Sequence, residues 1–265
     1  MHDFMSSHRA PLDQAHGLRQ LFAAQRQRFV PLVHNPHVAF GGVAMERLCA
    51  AFAEAELHTL VVDAADSAGI ADELAQVDLS ACIERLSGSV SYLAARGLPM
   101  RHLDARGATS GFLAAVAEAA PRADVVLVHA GASDIARLFA RRAPRPVLQA
   151  ADLPESLTHA YASMKLLTQR LGVMAFDLMV AADGNSPRVP RIAESLAGCA
   201  DRFLGAAVCE WALADPCADD EAPQPQLRRL AASQLRCGDD YLEPSSLAMH
   251  GRASAARWHG AAHAN

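Results

Sequence analysis

The chain has 265 residues, of which 51% are hydrophobic and 20% are charged, a composition typical of a folded globular protein. Its net charge is −5 and only 5% of its residues are aromatic, so neither a basic surface nor a set of stacking side chains favours binding to nucleic acid. The sequence contains no apolar run of membrane-spanning length and no apolar core of a secretory signal near its start. We therefore expect a cytoplasmic protein with reduced, buried cysteines.

Strand and helix patterns alternate along most of the chain. Short, continuous apolar runs predict strands that are covered on both faces, while Ala-, Leu- and Glu-rich segments predict helices. The predicted elements, in chain order, are a strand over 28–34, a helix over 43–57, a strand over 58–64, a strand over 98–105, a helix over 110–120, a strand over 123–130, a helix over 134–143, a strand over 145–151, a helix over 154–172, a strand over 173–182, a helix over 188–205, a strand over 206–212 and a helix over 226–236.

This alternation predicts an α/β fold with a mostly parallel sheet and helices on both faces. In such folds ligands bind at the carboxyl ends of the strands. We expect residues 26–214 to form the α/β domain, residues 1–25 to form a helix ahead of it, and residues 215–265 to contain a linker, a short helix and a flexible tail. The small apolar face of that short helix favours packing against the domain over binding to a membrane surface.

The segment Val38–Ala65 combines a Gly-Gly turn, an amphipathic helix and a buried strand that ends in an acid. This order is the layout of a nucleotide-binding βαβ unit, in which backbone N–H groups at the start of the helix face a phosphate. Gly41 and Gly42 provide the turn.

Two further stretches connect this unit to a known family. Asp13–Phe22 reads DQAHGLRQLF, and Asp152–Leu167 reads DLPESLTHAYASMKLL. Together with the Gly-Gly unit they resemble the MinD/ParA-like family of flagellar-number regulators, FlhG and FleN, in the same order over Leu12 to Trp211. The resemblance implies the MinD-like (SIMIBI) P-loop NTPase fold, ATP and Mg²⁺ as cofactors, dimerisation on ATP and peripheral contact with a membrane.

The loop-to-helix segment departs from the family pattern at the positions that grip a triphosphate. The two lysines of the pattern are replaced by Phe40 and Met45, and the hydroxyl that holds Mg²⁺ is replaced by Glu46. We expect Phe40 and Met45 to fill the vacated phosphate pocket, and Glu46 to oppose an anion at the start of the helix. The degenerate segment consists of Phe40, Gly41, Gly42, Val43, Ala44, Met45 and Glu46.

Later positions of the nucleotide site also differ. By the resemblance, Asp63 keeps one acid after the second strand, His129 replaces the aspartate at the end of the 123–130 strand, and Ala181 replaces an asparagine that reads adenine. Phosphoryl transfer depends on positioning and on charge neutralisation by lysine and Mg²⁺. We therefore expect a pseudo-ATPase without catalytic residues, metal or bound cofactor, in which His129 is a hydrogen-bonded pocket residue.

The DQAHGLRQLF stretch is predicted to form an amphipathic helix that is capped by Asp13. Gly17 lowers helix stability by about 1 kcal/mol relative to alanine, so we expect the helix to form on a partner. By the resemblance, that partner is the signal-recognition-type GTPase FlhF, with Gln14 offered to the GTPase site and Arg19 as an anchor. The predicted partner-binding residues are Asp13, Gln14, Ala15, Leu18, Arg19 and Phe22.

Two alternatives remain open at this point. One is an active MinD/ParA-type ATPase that binds ATP and Mg²⁺ through an atypical loop. The other is an α/β domain that binds an anion or a small molecule and has no connection to flagella. The resemblance also allows a flagellar transcription regulator, a basal-body component or a second copy of the chain as partners, and a location at the inner membrane or the cell pole.

Overall fold

A computed structural model describes residues 27–218 and 223–237. The predicted N-terminal helix, with its partner-binding residues Asp13–Phe22, and the predicted flexible tail lie outside the described residues. None of the helices in the described part of the chain combines the length and the apolar character that a membrane span requires.

The described residues form one sheet and six α-helices. The strands are β1 (Arg28–Val33), β2 (Thr59–Asp63), β3 (Glu84–Arg85), β4 (Val90–Ala94), β5 (Val125–Ala130), β6 (Val147–Ala151), β7 (Ala175–Ala181) and β8 (Ala207–Ala214). The helices are α1 (Gly41–Ala53), α2 (Gly111–Ala119), α3 (Ala132–Leu138), α4 (Pro154–Leu171), α5 (Val189–Leu204) and α6 (Pro225–Arg236). Short 3₁₀ helices cover Glu73–Gln76, Ser80–Cys82 and Leu98–His102.

The strand order is β3-β4-β2-β5-β1-β6-β7-β8. All neighbouring strands are parallel except β3 and β4, so the predicted α/β fold with a mostly parallel sheet is confirmed. Helices cover both faces of the sheet, and every residue of β2, β5 and β6 is buried. This burial explains why these strands read as continuous apolar runs rather than as alternating patterns.

The two faces have separate cores. Helices α2 to α5 cover one face, where Phe112, Met164 and Phe176 are fully buried. Helices α1 and α6 cover the other, where Phe52 and Leu230 are fully buried. The short C-terminal helix therefore packs against the sheet domain, as its small apolar face predicted.

A buried ion pair fastens α6 to the sheet. Asp177 on β7 is fully buried and lies 3.1 Å from Arg145 Nη2. The Gln234 side chain of α6 donates to the Asp177 carboxylate at 2.7 Å, and the Glu210 N–H donates at 3.0 Å. Burial raises the pKa of Asp177, and the hydrogen bond from Gln234 and the charge of Arg145 only partly offset this. The carboxylate therefore depends on these partners to remain charged inside the protein.

One predicted strand is wrong. The segment 98–105 was predicted as a strand but begins with the 3₁₀ helix Leu98–His102. It follows Gly97, whose φ of 81° makes a left-handed turn, and it contains a proline early in its first turn, which has no N–H for a sheet ladder. The strand beside β2 is instead β4, whose sequence VSYLA interrupts its apolar residues with Ser91 and Tyr92.

The expectation of buried cysteines holds for Cys49 alone among the six free thiols. Cys209 and Cys217 are exposed. Cys209 lies on β8, which is an edge strand, and Cys217 lies in the loop that follows this strand. Neither position is covered on both sides by other parts of the protein, as the central strands are.

Candidate functional site

A row of polar side chains crosses four neighbouring strands at their carboxyl ends, on the face that α1 covers. His129 at the end of β5 has Nδ1 at 2.8 Å from Asp63 Oδ1 of β2. Its Nε2 lies 3.2 Å from Nδ1 of His34, which directly follows β1. The Tyr92 hydroxyl of β4 donates to the other Asp63 oxygen at 3.3 Å. The polar row Tyr92–Asp63–His129–His34 therefore lies where ligands bind in open α/β sheets.

The row shifts the pKa values of its members. Burial raises the pKa of Asp63, but the hydrogen bond and charge of His129, with the Ala65 N–H and the Tyr92 hydroxyl, outweigh it, so the pKa of Asp63 is lowered. Burial, together with Asp63, raises the pKa of Tyr92 to about 12. Burial and then the neighbouring His129 lower the pKa of His34. Near neutral pH the row therefore contains an ionised Asp63, a neutral Tyr92 and a neutral His34.

The lowered pKa of His34 predicts a pH-dependent stability. The unfolded chain takes up a proton on this residue below its ordinary pKa of about 6.5, whereas the folded protein resists that proton. The His34 contribution to stability is therefore present above about pH 6.5 and is lost as the pH falls. We expect urea unfolding at pH 7.5 and 5.5 to show a smaller loss of stability at pH 5.5 for His34→Gln than for the wild type. The difference should stay below about 1.4 kcal/mol per pH unit, the limit for one proton.

The matched control for this titration is Val77→Gln, because Val77 is 88% exposed, lies outside the polar row and carries no titratable group. Its pH dependence should equal that of the wild type. A His34→Gln variant with an undiminished pH dependence would contradict the assignment.

The loop after β1 is held by Asn35, which the sequence analysis did not single out. The Asn35 side chain is 1% exposed and donates to the Gln149 carbonyl at 2.9 Å and to the Ser156 carbonyl and hydroxyl at 3.0 Å. Its amide oxygen accepts the His37 N–H at 3.1 Å. Because these bonds join β1, β6 and the start of α4, residues 34–40 form a short loop that lies against the sheet.

Helix α1 begins earlier than the sequence predicted. Gly41 and Gly42 are its first two residues, and neither has a positive φ, so they form no separate turn around a ligand. The Gly41 carbonyl instead accepts a hydrogen bond from the Gln149 side chain at 3.2 Å. Val43 and the buried Ala44 complete the first turn. Glu46 consequently lies in the second turn, beyond the reach of the first-turn N–H groups that it was expected to face.

Phe40 and Met45 were both expected to fill the phosphate pocket, but they line two different cavities. Phe40 is 56% exposed and lines a cavity of about 330 Å³ with Ala181 and Asp183, at the carboxyl ends of β6 and β7. Met45 points to the other side of α1, where it and Glu46 line a separate groove of about 960 Å³. The structure thus brings Asp63 to His129 and Phe40 to Ala181, whereas Met45 and Glu46 line a groove whose wall includes Tyr92 of the polar row.

Lysine is almost absent from this protein. Lys165 is the chain's one lysine, and it is exposed on α4. It lies about 16 Å along the helix axis from Pro154, the first residue of α4, which follows the carboxyl end of β6. This wider absence of lysine, beyond the two substituted positions, is visible in a simple residue count of the sequence. No other lysine in the chain can therefore take over the phosphate-binding role.

The described residues contain no group of three or more His, Cys, Asp or Glu side chains arranged to hold a metal ion. Only two imidazole nitrogens face each other in the polar row, and the other nitrogen of His129 is bonded to Asp63. The arrangement observed is a chain of hydrogen bonds rather than a coordination shell.

Several solved structures have a fold similar to that of this chain. The MinC:MinD cell division complex of Aquifex aeolicus matches 80% of the chain and 97% of its own, with a TM-score of 0.55 and 9% identity. A plasmid partition protein of Borrelia burgdorferi matches 79% of the chain and 100% of its own, with a TM-score of 0.53 and 9% identity. The chain has the fold of MinD- and ParA-type proteins.

A third similar structure contains a nucleotide. Cobyrinic acid a,c-diamide synthase of Mycobacterium smegmatis, with a bound ATP analogue and magnesium, matches 79% of the chain and 95% of its own, with a TM-score of 0.52 and 16% identity. At such identities the similarity concerns the fold alone. No protein-family model matches the sequence, and no curated protein does.

Proposed function

We propose that this protein is a noncatalytic regulator built on the MinD/ParA fold, which binds a signal-recognition-type GTPase of the FlhF class and stimulates its GTP hydrolysis. Through this partner it would set the number or placement of flagella. The stimulating element is the segment Asp13–Phe22, and the α/β domain carries it.

The observation that supports a noncatalytic role is the bond between His129 and Asp63, together with the lack of a cationic side chain at Phe40. His129 and Asp63 bond to each other at 2.8 Å, so one oxygen of the remaining acid is already occupied by an imidazole. Phe40 offers an exposed ring where a cation is needed, and Lys165 is too distant to replace it. A triphosphate would therefore meet little charge neutralisation, which is the main contribution of such sites to phosphoryl transfer.

The observation that supports the GTPase partner is the DQAHGLRQLF stretch, which precedes the domain by only a few residues. A short amphipathic segment beside a rigid domain is suited to peptide-like recognition, in which its apolar stripe fills a partner groove. The domain can then contribute position and regulation without hydrolysing a nucleotide itself.

The test is a GTP hydrolysis assay with the FlhF-type protein from the same cell. We expect the full chain to raise the hydrolysis rate, and we expect this stimulation to be equal with and without Mg-ATP, because the proposed site holds no nucleotide. Gln20→Ala, on the polar side of the segment, is the matched control and should stimulate like the wild type. The proposal is contradicted if the full chain leaves the GTPase rate unchanged, or if its stimulation of the GTPase requires ATP.

One cavity favours a second candidate function. The space of about 330 Å³ beside Phe40, Ala181 and Asp183 has the size of a small ligand site and opens at the carboxyl ends of the strands. A planar ring that stacks on Phe40 with a donor toward Asp183 would suit it. Soaking or titration with free adenosine and adenine tests this candidate separately from ATP, because these ligands carry no phosphate and need no cation at the start of α1.

A further inference from the structure

A large, mainly apolar groove lies beside α1. It measures about 960 Å³ and extends along the outer side of α1, from Gly42 in the first turn to Glu54 just after the helix. Its apolar lining includes Met45, Ala50, Ala53, Val61, Val90 and Tyr92, which belong to α1, β2 and β4. A groove of this length, formed by a helix beside a sheet, is suited to an amphipathic helix.

One charged side chain in this groove lacks a partner. Glu46 is exposed and lines the groove, and the structure records no hydrogen bond or ion pair for its carboxylate among the described residues. Glu54, at the other end of the groove, is already paired, because Arg228 donates to both of its oxygens at 2.6 and 2.8 Å. An occupant would therefore gain most from an apolar face with a single cation near Glu46.

The chain ahead of β1 is long enough to supply this occupant. Arg28 lies in register with Val125, Val125 with Thr59, and Thr59 with Val90 of the groove lining. Three strand spacings separate Arg28 from Val90, a distance of about 14 Å. The residues between Phe22 and Arg28 cover about 17 Å when extended, so a helix that ends at Phe22 can reach the groove.

The segment 12–22 also has the required chemistry. Leu12, Ala15, Leu18 and Phe22 recur at helical spacing on one side. Arg19 follows Ala15 by four residues and precedes Phe22 by three, so it lies beside this stripe. The C-terminal tail leaves the domain close to Arg28, whose side chain donates to the Cys237 carbonyl, but its sequence is rich in Ala, His, Ser and Gly and has no such stripe.

We propose that residues 12–22 dock into the α1 groove of their own chain, with the apolar stripe against Ala50, Val61 and Val90 and with Arg19 paired to Glu46. Docking hides Leu18 and Phe22, so it withholds the segment from any partner until the partner competes for it. This regulatory role of docking rests on the proposed function, whereas the docking itself does not depend on a GTPase partner.

The test is hydrogen–deuterium exchange of the full chain, read by mass spectrometry on peptides that cover residues 12–22. In the wild type we expect these amides to exchange at least about tenfold more slowly than their intrinsic rate, as in a docked helix. Leu18→Asp, on the apolar stripe, and Ala50→Arg, in the groove, should each remove most of this protection. Gln20→Asp, on the opposite side of the predicted helix, is the matched control and should retain it.

A charge exchange tests the ion pair. Glu46→Arg should weaken the protection, and adding Arg19→Glu should restore it. Unchanged exchange of β5 amides in every variant confirms that the domain remains folded. Docking is overturned if residues 12–22 of the wild type exchange at the intrinsic rate, if their protection survives Ala50→Arg, or if the groove variants deprotect residues 238–265 instead.

The regulatory consequence has its own measurement. If the segment is docked about nine-tenths of the time, Ala50→Arg should lower the concentration needed for half-maximal GTPase stimulation about tenfold. An unchanged concentration would overturn the withholding role. Slow exchange without any GTPase stimulation would support docking and contradict only the proposed partner, so the two proposals fail separately.

Discussion

Replacing Gln14 with alanine should strongly lower the stimulation of GTP hydrolysis while weakening the complex with the GTPase far less. A group supplied in trans to a GTPase site can change the hydrolysis rate by about 10³–10⁵-fold when it stabilises the transition state, and positioning of water by an amide is one such contribution. The Gln14 amide can both donate and accept, and the resemblance places this residue at the GTPase site. We therefore expect a loss of at least about tenfold in stimulated rate, with binding weakened far less.

The control separates catalysis from binding. Leu18→Asp removes the apolar contact and should weaken binding itself, so that a higher concentration of the chain is needed. Hydrolysis rates measured over a range of concentrations, with binding measured by calorimetry, distinguish the two effects. Stimulation by Gln14→Ala at the wild-type level would rule out the role of this residue.

The second large effect concerns stability. Asp177→Ala should lower the free energy of unfolding by about 3–5 kcal/mol, because it leaves Arg145 in a largely buried position without its charge partner. It also removes the acceptor of the Gln234 side chain and so loosens α6. Urea unfolding followed by circular dichroism measures this change.

Asp201→Ala is the control for this substitution, because Asp201 is exposed on α5. We expect its effect to stay within about 0.5 kcal/mol. If Asp177→Ala costs no more than Asp201→Ala, the buried pair does not anchor α6.

The sequence predicted the sheet well where strands are covered on both faces. β5 and β6 read as unbroken apolar runs because both of their faces are buried. β4 was not predicted. It lies beside the short edge strand β3 and is incompletely covered by other elements, which permits Ser91 and Tyr92 within its sequence. Helix ends marked by Gly172 and Gly205 were predicted correctly, since both residues adopt the left-handed conformation that follows a helix.

Only part of the candidate site could be predicted from the sequence. The substitutions at Met45 and His129 follow from a pattern comparison, but the contact between Asp63 and His129 depends on the strand order β2-β5-β1, which places residues far apart in sequence side by side. The early start of α1 could not be predicted either, because it depends on Asn35 holding the preceding loop against β6 and α4. Loops of this kind are fixed by tertiary hydrogen bonds rather than by local pattern.

The absence of a functional triphosphate site is tested most directly with radiolabelled ATP and Mg²⁺, measuring equilibrium binding and release of phosphate by the purified full chain. We predict no saturable binding up to millimolar ATP and no phosphate release above that of Gly42→Asp, which places a carboxylate at the start of α1. Saturable binding with turnover that Gly42→Asp abolishes would contradict the account.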